Sequence, residues 1–178
     1  MKNNLFIIIF SILIITSLAT NAQTERGSKL LGGGASLQFS DPFSIGITPN
    51  MGFFLKDNFA LGASLGFYYQ TNNNYSYSNA SLSPFARYYF GQGITRAFIK
   101  GSLGYGRNWQ KGNDNITDFK TSAGYTIGNA GLGITRFITQ QVGIEASLDY
   151  SAFFREVYHG RVFLSFGFQV YLPSSRPN

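Results

Sequence analysis

Between Phe59 and Gln70 every second residue is apolar. Phe59, Leu61, Ala63, Leu65, Phe67 and Tyr69 alternate with Ala60, Gly62, Ser64, Gly66, Tyr68 and Gln70, so an extended chain presents one greasy face and one small or polar face. No helical period fits the stretch. The alternation recurs in runs of about 10 to 12 residues, the length a tilted strand needs to cross a bilayer. Eight such runs can be read: Lys29–Phe39, Phe43–Leu55, Phe59–Gln70, Ala80–Phe90, Arg96–Trp109, Lys120–Phe137, Val142–Phe153 and Arg161–Leu172. An even number suits a closed antiparallel barrel.

Composition agrees with strands. Of 178 residues only 12% are charged, while 17% are aromatic, and 21 are Gly, a mix that suits helices poorly. Mean hydropathy is near zero, which fits a soluble protein and a barrel with a polar interior equally well, so it decides nothing. The first 22 residues read as a signal peptide: Lys2 precedes the apolar run from Leu5 to Leu18, and Thr20-Asn21-Ala22 forms a small-residue exit. The run has about 14 residues against the roughly 20 of a membrane-spanning helix, which disfavours an anchor. The expected organisation is signal peptide 1–22, a short N-terminal segment 23–28, barrel 29–172 and C-terminal tail 173–178. With no cysteine, neither lipidation nor a disulfide framework is open to it. Without Lys2, 13 Lys and Arg stand against 8 Asp and Glu, a net charge of +5. The basic residues are scattered singly, which argues against nucleic acid as a partner.

The placement of charge says which face meets lipid. A soluble lipocalin-like barrel, the competing reading, turns its apolar side chains inward and its charges outward. Here Arg87, Lys100, Glu145 and Asp149 all share the small and polar face, and Arg or Lys facing lipid at mid-depth costs roughly 2–4 kcal/mol. These four are therefore expected in the lumen. Arg107 and Arg136 share parity with apolar neighbours but lie near strand ends, where the cost falls to about 0–1 kcal/mol. Aromatics gather into two expected girdles: Phe39, Phe67, Tyr69, Tyr105, Trp109 and Tyr150 at one level, and Phe53, Phe59, Tyr88, Phe90 and Phe137 at the other. In the sixth run Ala123, Tyr125 and Ile127 hold odd parity and Ala130, Leu132 and Ile134 even parity, which predicts a β-bulge near Gly128-Asn129. Tight connections fall at Lys56-Asp57-Asn58, Gly91 to Thr95 and Ile138 to Gln141. Polar loops are expected at Thr71–Asn79, Gln110–Phe119 and Phe154–Gly160, with a short first outer turn at Ser40-Asp41-Pro42.

In pattern and strand count the chain resembles the small eight-stranded outer-membrane barrels of the OmpA transmembrane-domain and OmpX type over nearly all of Lys29–Leu172. The resemblance implies an all-β, antiparallel, up-and-down transmembrane barrel in a Gram-negative outer membrane. It also implies contact with membrane lipids and lipopolysaccharide, insertion by the barrel-assembly machinery, and a monomeric state. Such barrels commonly end on an aromatic residue. Here Val170-Tyr171-Leu172 is followed by a tail, which leaves Phe168 or Tyr171 for that recognition.

Pairing about the Gln92-Gly93 turn sets Arg87 opposite Lys100, with Glu145 and Asp149 as the available counter-charges. An eight-stranded barrel is only wide enough for its side chains to fill, so these four with Gln169 and Tyr89 read as a polar plug. A gated or narrow solute pore is the alternative. Glu145 and Asp149 lie roughly 13 Å apart along one strand, at about 3.4 Å per residue, beyond the about 5–9.5 Å of a glycosidase pair. Lipid A deacylases of the same barrel carry His-x-Ser in the last outer loop, whereas this chain has His159-Gly160-Arg161. One His and no Cys support no metal site, and no cofactor is expected. Gly32-Gly33-Gly34 and the glycines from Gly101 to Gly106 lack the following helix of a phosphate loop and are expected to relieve crowding in the lumen. The sequons at Asn79 and Asn115 carry no meaning in a bacterium. The expected role is non-catalytic, structural or surface-interacting, through outer loops rich in Asn, Tyr and Ser that contact surface ligands.

Overall fold

The computed structural model describes residues 24–38, 43–71, 75–114, 117–154 and 159–174. The expected signal peptide, Phe39, the Ser40-Asp41-Pro42 turn, most of the expected Phe154–Gly160 loop and the end of the tail lie outside them. Eight strands follow in order: β1 (Lys29–Gln38), β2 (Phe43–Lys56), β3 (Phe59–Thr71), β4 (Tyr75–Phe90), β5 (Thr95–Asp114), β6 (Thr117–Phe137), β7 (Val142–Phe154) and β8 (His159–Leu172). Each pairs antiparallel with the next, and β1 pairs with β8 to close the barrel. The rim bearing the tight turns after β2, β4 and β6 is called lower, the opposite rim upper.

Period-two alternation reappears as alternating exposure. Along β3, Leu61, Leu65, Phe67 and Tyr69 are exposed, while Ala60 is fully buried. Large apolar side chains lie exposed on every strand from β2 to β8, including Ile47, Leu82, Ile99, Leu132, Leu148 and Leu164. An apolar belt of that extent marks a surface that lipid or another apolar phase covers. Arg107 and Arg136 are indeed on this outer face, bonded to Ser122 Oγ at 3.1 Å and Thr95 Oγ1 at 2.9 Å. Of the expected girdle residues, Phe67, Tyr69, Tyr105, Trp109 and Tyr150 are exposed above, and Phe53, Tyr88 and Phe90 below.

Three expectations need correction. The sixth strand has no bulge at Gly128-Asn129: its register is unbroken against both β5 and β7. Tyr125 simply points inward, 7% exposed, its ring tilted at 54° against that of Phe153 with centres 5.8 Å apart. Among the described residues a register shift falls between Phe54 and Lys56, at the β2–β3 turn. Phe137 belongs to the interior, 5% exposed, not to the lower girdle. The segments Thr71–Asn79 and Gln110–Phe119 are largely strand: β4 begins at Tyr75, β5 runs to Asp114, and the β5–β6 ladder continues to Asp114↔Thr117. Beyond the apolar belt a strand no longer separates a greasy face from a polar one, so hydrophobic alternation fades while the ladder continues. His159 likewise opens β8, paired with Phe153.

Candidate functional site in the lumen

Register brings the charged residues together. Arg87 on β4 pairs with Lys100 on β5, Lys100 with Gly131 on β6, Gly131 with Asp149 on β7, and Asp149 with Phe163 on β8. Gly131 is what lets the row close. A Cβ there would stand 2.0 Å from Asp149 Oδ1 and 3.0 Å from Lys100 Cε, so any side chain would part them. Lys100 Nζ lies 3.0 Å from Asp149 Oδ1 as an ion pair, while its directed hydrogen bonds go to Asp149 Oδ2 at 3.2 Å and Ser147 Oγ at 3.1 Å.

Arg87 reaches one turn of the wall lower. Its Nη1 donates to both oxygens of Glu145 at 2.8 and 2.9 Å and to the Tyr89 hydroxyl at 3.0 Å. The Tyr89 and Tyr171 hydroxyls are 2.9 Å apart, and Tyr171 donates to Glu145 Oε1 at 3.2 Å. The circuit from Arg87 through both tyrosines to Glu145 is thus closed. Thr135 Oγ1 and Gln169 Nε2 supply two further donors to the same carboxylate, at 2.9 and 3.3 Å. Burial of an ion pair is tolerable only with such saturation, and the two side chains here are 6% and 7% exposed. The Arg87 guanidinium also lies 4.5 Å from the Phe98 ring centre, a favourable cation–π placement. All six residues expected in the polar cluster therefore line the lumen.

Below this circuit lies an apolar and aromatic layer of which the sequence named only Tyr89 for the lumen cluster. Leu30, Phe54, Ala60, Tyr89, Phe98 and Tyr171 are each at most 1% exposed, and Phe137 packs on Tyr171 at 4.8 Å between ring centres. Phe54 sits between the outward Phe53 and Leu55, and Phe98 shares the parity of Lys100. That parity is the signal that could have placed both inside. Tyr171 is inward too, so of the two aromatics that the sequence offers for recognition of the last strand, Phe168, 58% exposed, is the one that faces outward. The segment before β1 seals the layer from beneath: Asn58 N donates to Thr24 O at 2.7 Å, Gly27 N to Phe54 O at 2.8 Å, and Arg96 donates to both Thr24 Oγ1 and Asn58 Oδ1.

Above the circuit the lumen is hollow. A cavity of about 210 Å³ is bounded by Arg87, Lys100 and Asp149 together with small polar residues such as Ser64, Ser102 and Ser165. Arg87 Nε and Asn50 Oδ1 are buried there without a hydrogen-bond partner.

Closure by eight consecutive antiparallel strands, apolar side chains outside and ion pairs within define a small barrel of the outer-membrane type. No protein-family model matches the chain, and no curated protein matches it in sequence. Solved structures share the fold. The N-terminal β-barrel domain of Pseudomonas aeruginosa OprF superposes with a TM-score of 0.61 at 19% identity, covering 83% of this chain and 98% of that one. Neisserial surface protein A gives 0.56 at 16% identity, covering 80% and 93%. Ail, the attachment invasion locus protein of Yersinia pestis, gives 0.54 at 11% identity, covering 82% and 98%. At these identities the likeness is one of fold.

Proposed function

We propose that this chain is an integral protein of a bacterial outer membrane, without catalytic activity, whose structural or surface-interaction role is carried by the strands that rise above the bilayer. The observation that carries the reading is the pairing of an apolar outer belt spanning β2 to β8 with a β5–β6 hairpin far longer than a crossing needs. A tilted crossing takes about 9–11 residues, whereas β5 has 20 and β6 has 21. The excess is a rigid, ladder-bonded projection carrying exposed Lys111, Lys120, Thr121 and Ser122. Beside it, Tyr68 and Tyr77 stack edge-on at 6.1 Å. Two of the similar structures bear names that speak of the surface and of attachment, which is consistent with such a role.

Membrane insertion is tested by electrophoresis before and after boiling, since an intact barrel migrates differently from the denatured chain. Absence of the shift, with protein in the soluble periplasmic fraction, would point to the lipocalin-like alternative. The surface role is tested by replacing 110–121 with a two-residue turn. Cells that keep every adhesion and envelope-stress phenotype would refute it. The pore reading draws on the hollow upper lumen, but conduction requires the aromatic layer below Arg87 to part. Planar-bilayer recording of the wild type and of Glu145→Ala, with no conductance in either, would exclude it.

A further inference from the structure

The barrel wall is not equally closed around its circumference. Gly33 adopts φ 153°, a conformation glycine tolerates, and a Cβ on it would lie 2.5 Å from the Thr48 carbonyl oxygen. β1 follows β2 from there: their ladder runs on to Gln38↔Ser44. Among the described residues, however, the ladder between β1 and β8 ends at Gly34↔Gly167. Extending that register would join Ala35 to Phe166 and Gln38 to Phe163, and neither pair is made. β8 meanwhile stays bonded to β7 as far as Phe153↔His159. Above Gly34 the two edges part, and a slot opens in the wall.

The hollow of the lumen lies directly behind this slot. Among the residues whose side chains are described, its lining draws on β2 through β8 and on none of β1. At that height β1 has only Gly32 and Gly34 to turn inward, following the buried Leu30. Thr48 and Asn50 stand on one side of the slot, Phe163 and Ser165 on the other. On the outside, Val162, Leu164 and Phe166 are 66%, 69% and 65% exposed, the three highest values for large apolar side chains among the described residues. Beside them the β1–β8 ladder is not made above Gly34↔Gly167. Phe163 shares the inward parity of Ser165 and yet is 44% exposed.

The polar groups inside select the occupant. Both cations already meet a carboxylate, Arg87 with Glu145 from below and Lys100 with Asp149, so what the cavity offers a ligand is the donor hydrogens that those pairs leave over. Arg87, 6% exposed, holds an Nε–H that no acceptor meets, and Asn50 Oδ1 has no donor. Rotation of the Asn50 amide would offer a second N–H to an anion. We propose that the slot is a lateral portal for a single-chain amphiphile with a carboxylate head, of the fatty-acid class. The head enters the cavity from the outer leaflet to accept from Arg87 Nε and Lys100 Nζ, and the tail remains along Val162, Leu164 and Phe166. A carboxylate bonded to two cationic donors makes the stronger, charge-assisted type of hydrogen bond.

This inference rests on the barrel standing in a bilayer, so insertion is read separately by the gel shift of the same samples. The full chain in phosphatidylcholine nanodiscs is titrated with dodecanoate carrying a ¹³C-labelled carboxyl. The expected result is a separate, saturable carboxyl resonance. Because the chain has no cysteine, the double variant Ala35→Cys/Phe166→Cys can be bridged by a short bifunctional thiol reagent. Bridging is expected to lower occupancy at least tenfold, and reduction to restore it. Lys100→Gln and Ser165→Phe, the latter filling the cavity, are each expected to weaken binding about tenfold in samples that retain the gel shift. Acetate, the head without a tail, is expected to give no bound signal. In inserted protein, absence of a saturable resonance, occupancy indifferent to the bridge, or acetate bound as well as dodecanoate would each overturn the portal while leaving the membrane reading intact.

Discussion

The lower and upper halves of one lumen are built on opposite principles. Below Arg87, seven apolar or aromatic residues pack around a carboxylate whose two oxygens receive bonds from Arg87, Thr135, Gln169 and Tyr171. Above it, serines and asparagines leave a hollow, and Lys100 keeps 27% of its side chain exposed. The same alternating strands line both halves. What differs is the size of the inward residue, large below and small above. The lesson is that a barrel of fixed strand number can be a sealed core at one depth and a chamber at another.

Stability measurements can break or sharpen that contrast. Replacing Glu145 with Ala strands the buried Arg87 and is expected to cost about 3–5 kcal/mol, read from urea unfolding in detergent followed by the gel shift. A loss under about 1 kcal/mol would mean that the lower half is not a coupled unit. Phe54→Ala removes a ring packed on Tyr89 and Tyr171, with an expected cost of about 3 kcal/mol. Asp149→Ala should cost less, about 1–2 kcal/mol, because water in the chamber can solvate Lys100. A cost equal to that of Glu145→Ala would show the upper half to be as dry as the lower. Smallest of all, Ser64→Ala loses one hydrogen bond to Ser83 O at 3.2 Å and should stay within about 0.5 kcal/mol.

Much of this was legible in residue order. The runs starting at Lys29, Phe43, Phe59 and Val142 coincide with strand starts, and all eight fall within observed strands or one residue beyond them. The confinement of Arg87, Lys100, Glu145 and Asp149 to one parity placed them in the lumen, because charge is expensive in lipid. The same logic failed for apolar residues. An inward Phe54, Phe98 or Phe137 is paid no such penalty, since rings are welcome on either side of the wall, and alternation alone cannot say that a greasy residue faces lipid. Hence the bulge expected at Gly128-Asn129, which assumed that Tyr125 must point outward. The strand extensions were missed for a related reason: where a strand no longer separates a greasy face from a polar one, hydrophobicity carries no period.

Residue order by itself determined the central stretch of each strand, the face that the charged residues take and the orientation of the wall toward its surroundings, because these follow from a two-residue period and the cost of charge in hydrocarbon. Only the tertiary structure decided which cation meets which carboxylate, that the segment from Thr24 closes the lower rim, and that β1 leaves β8 above Gly34. Those depend on the stagger between strands far apart in the chain and on the reach of side chains across the lumen. Neither is written into any one strand.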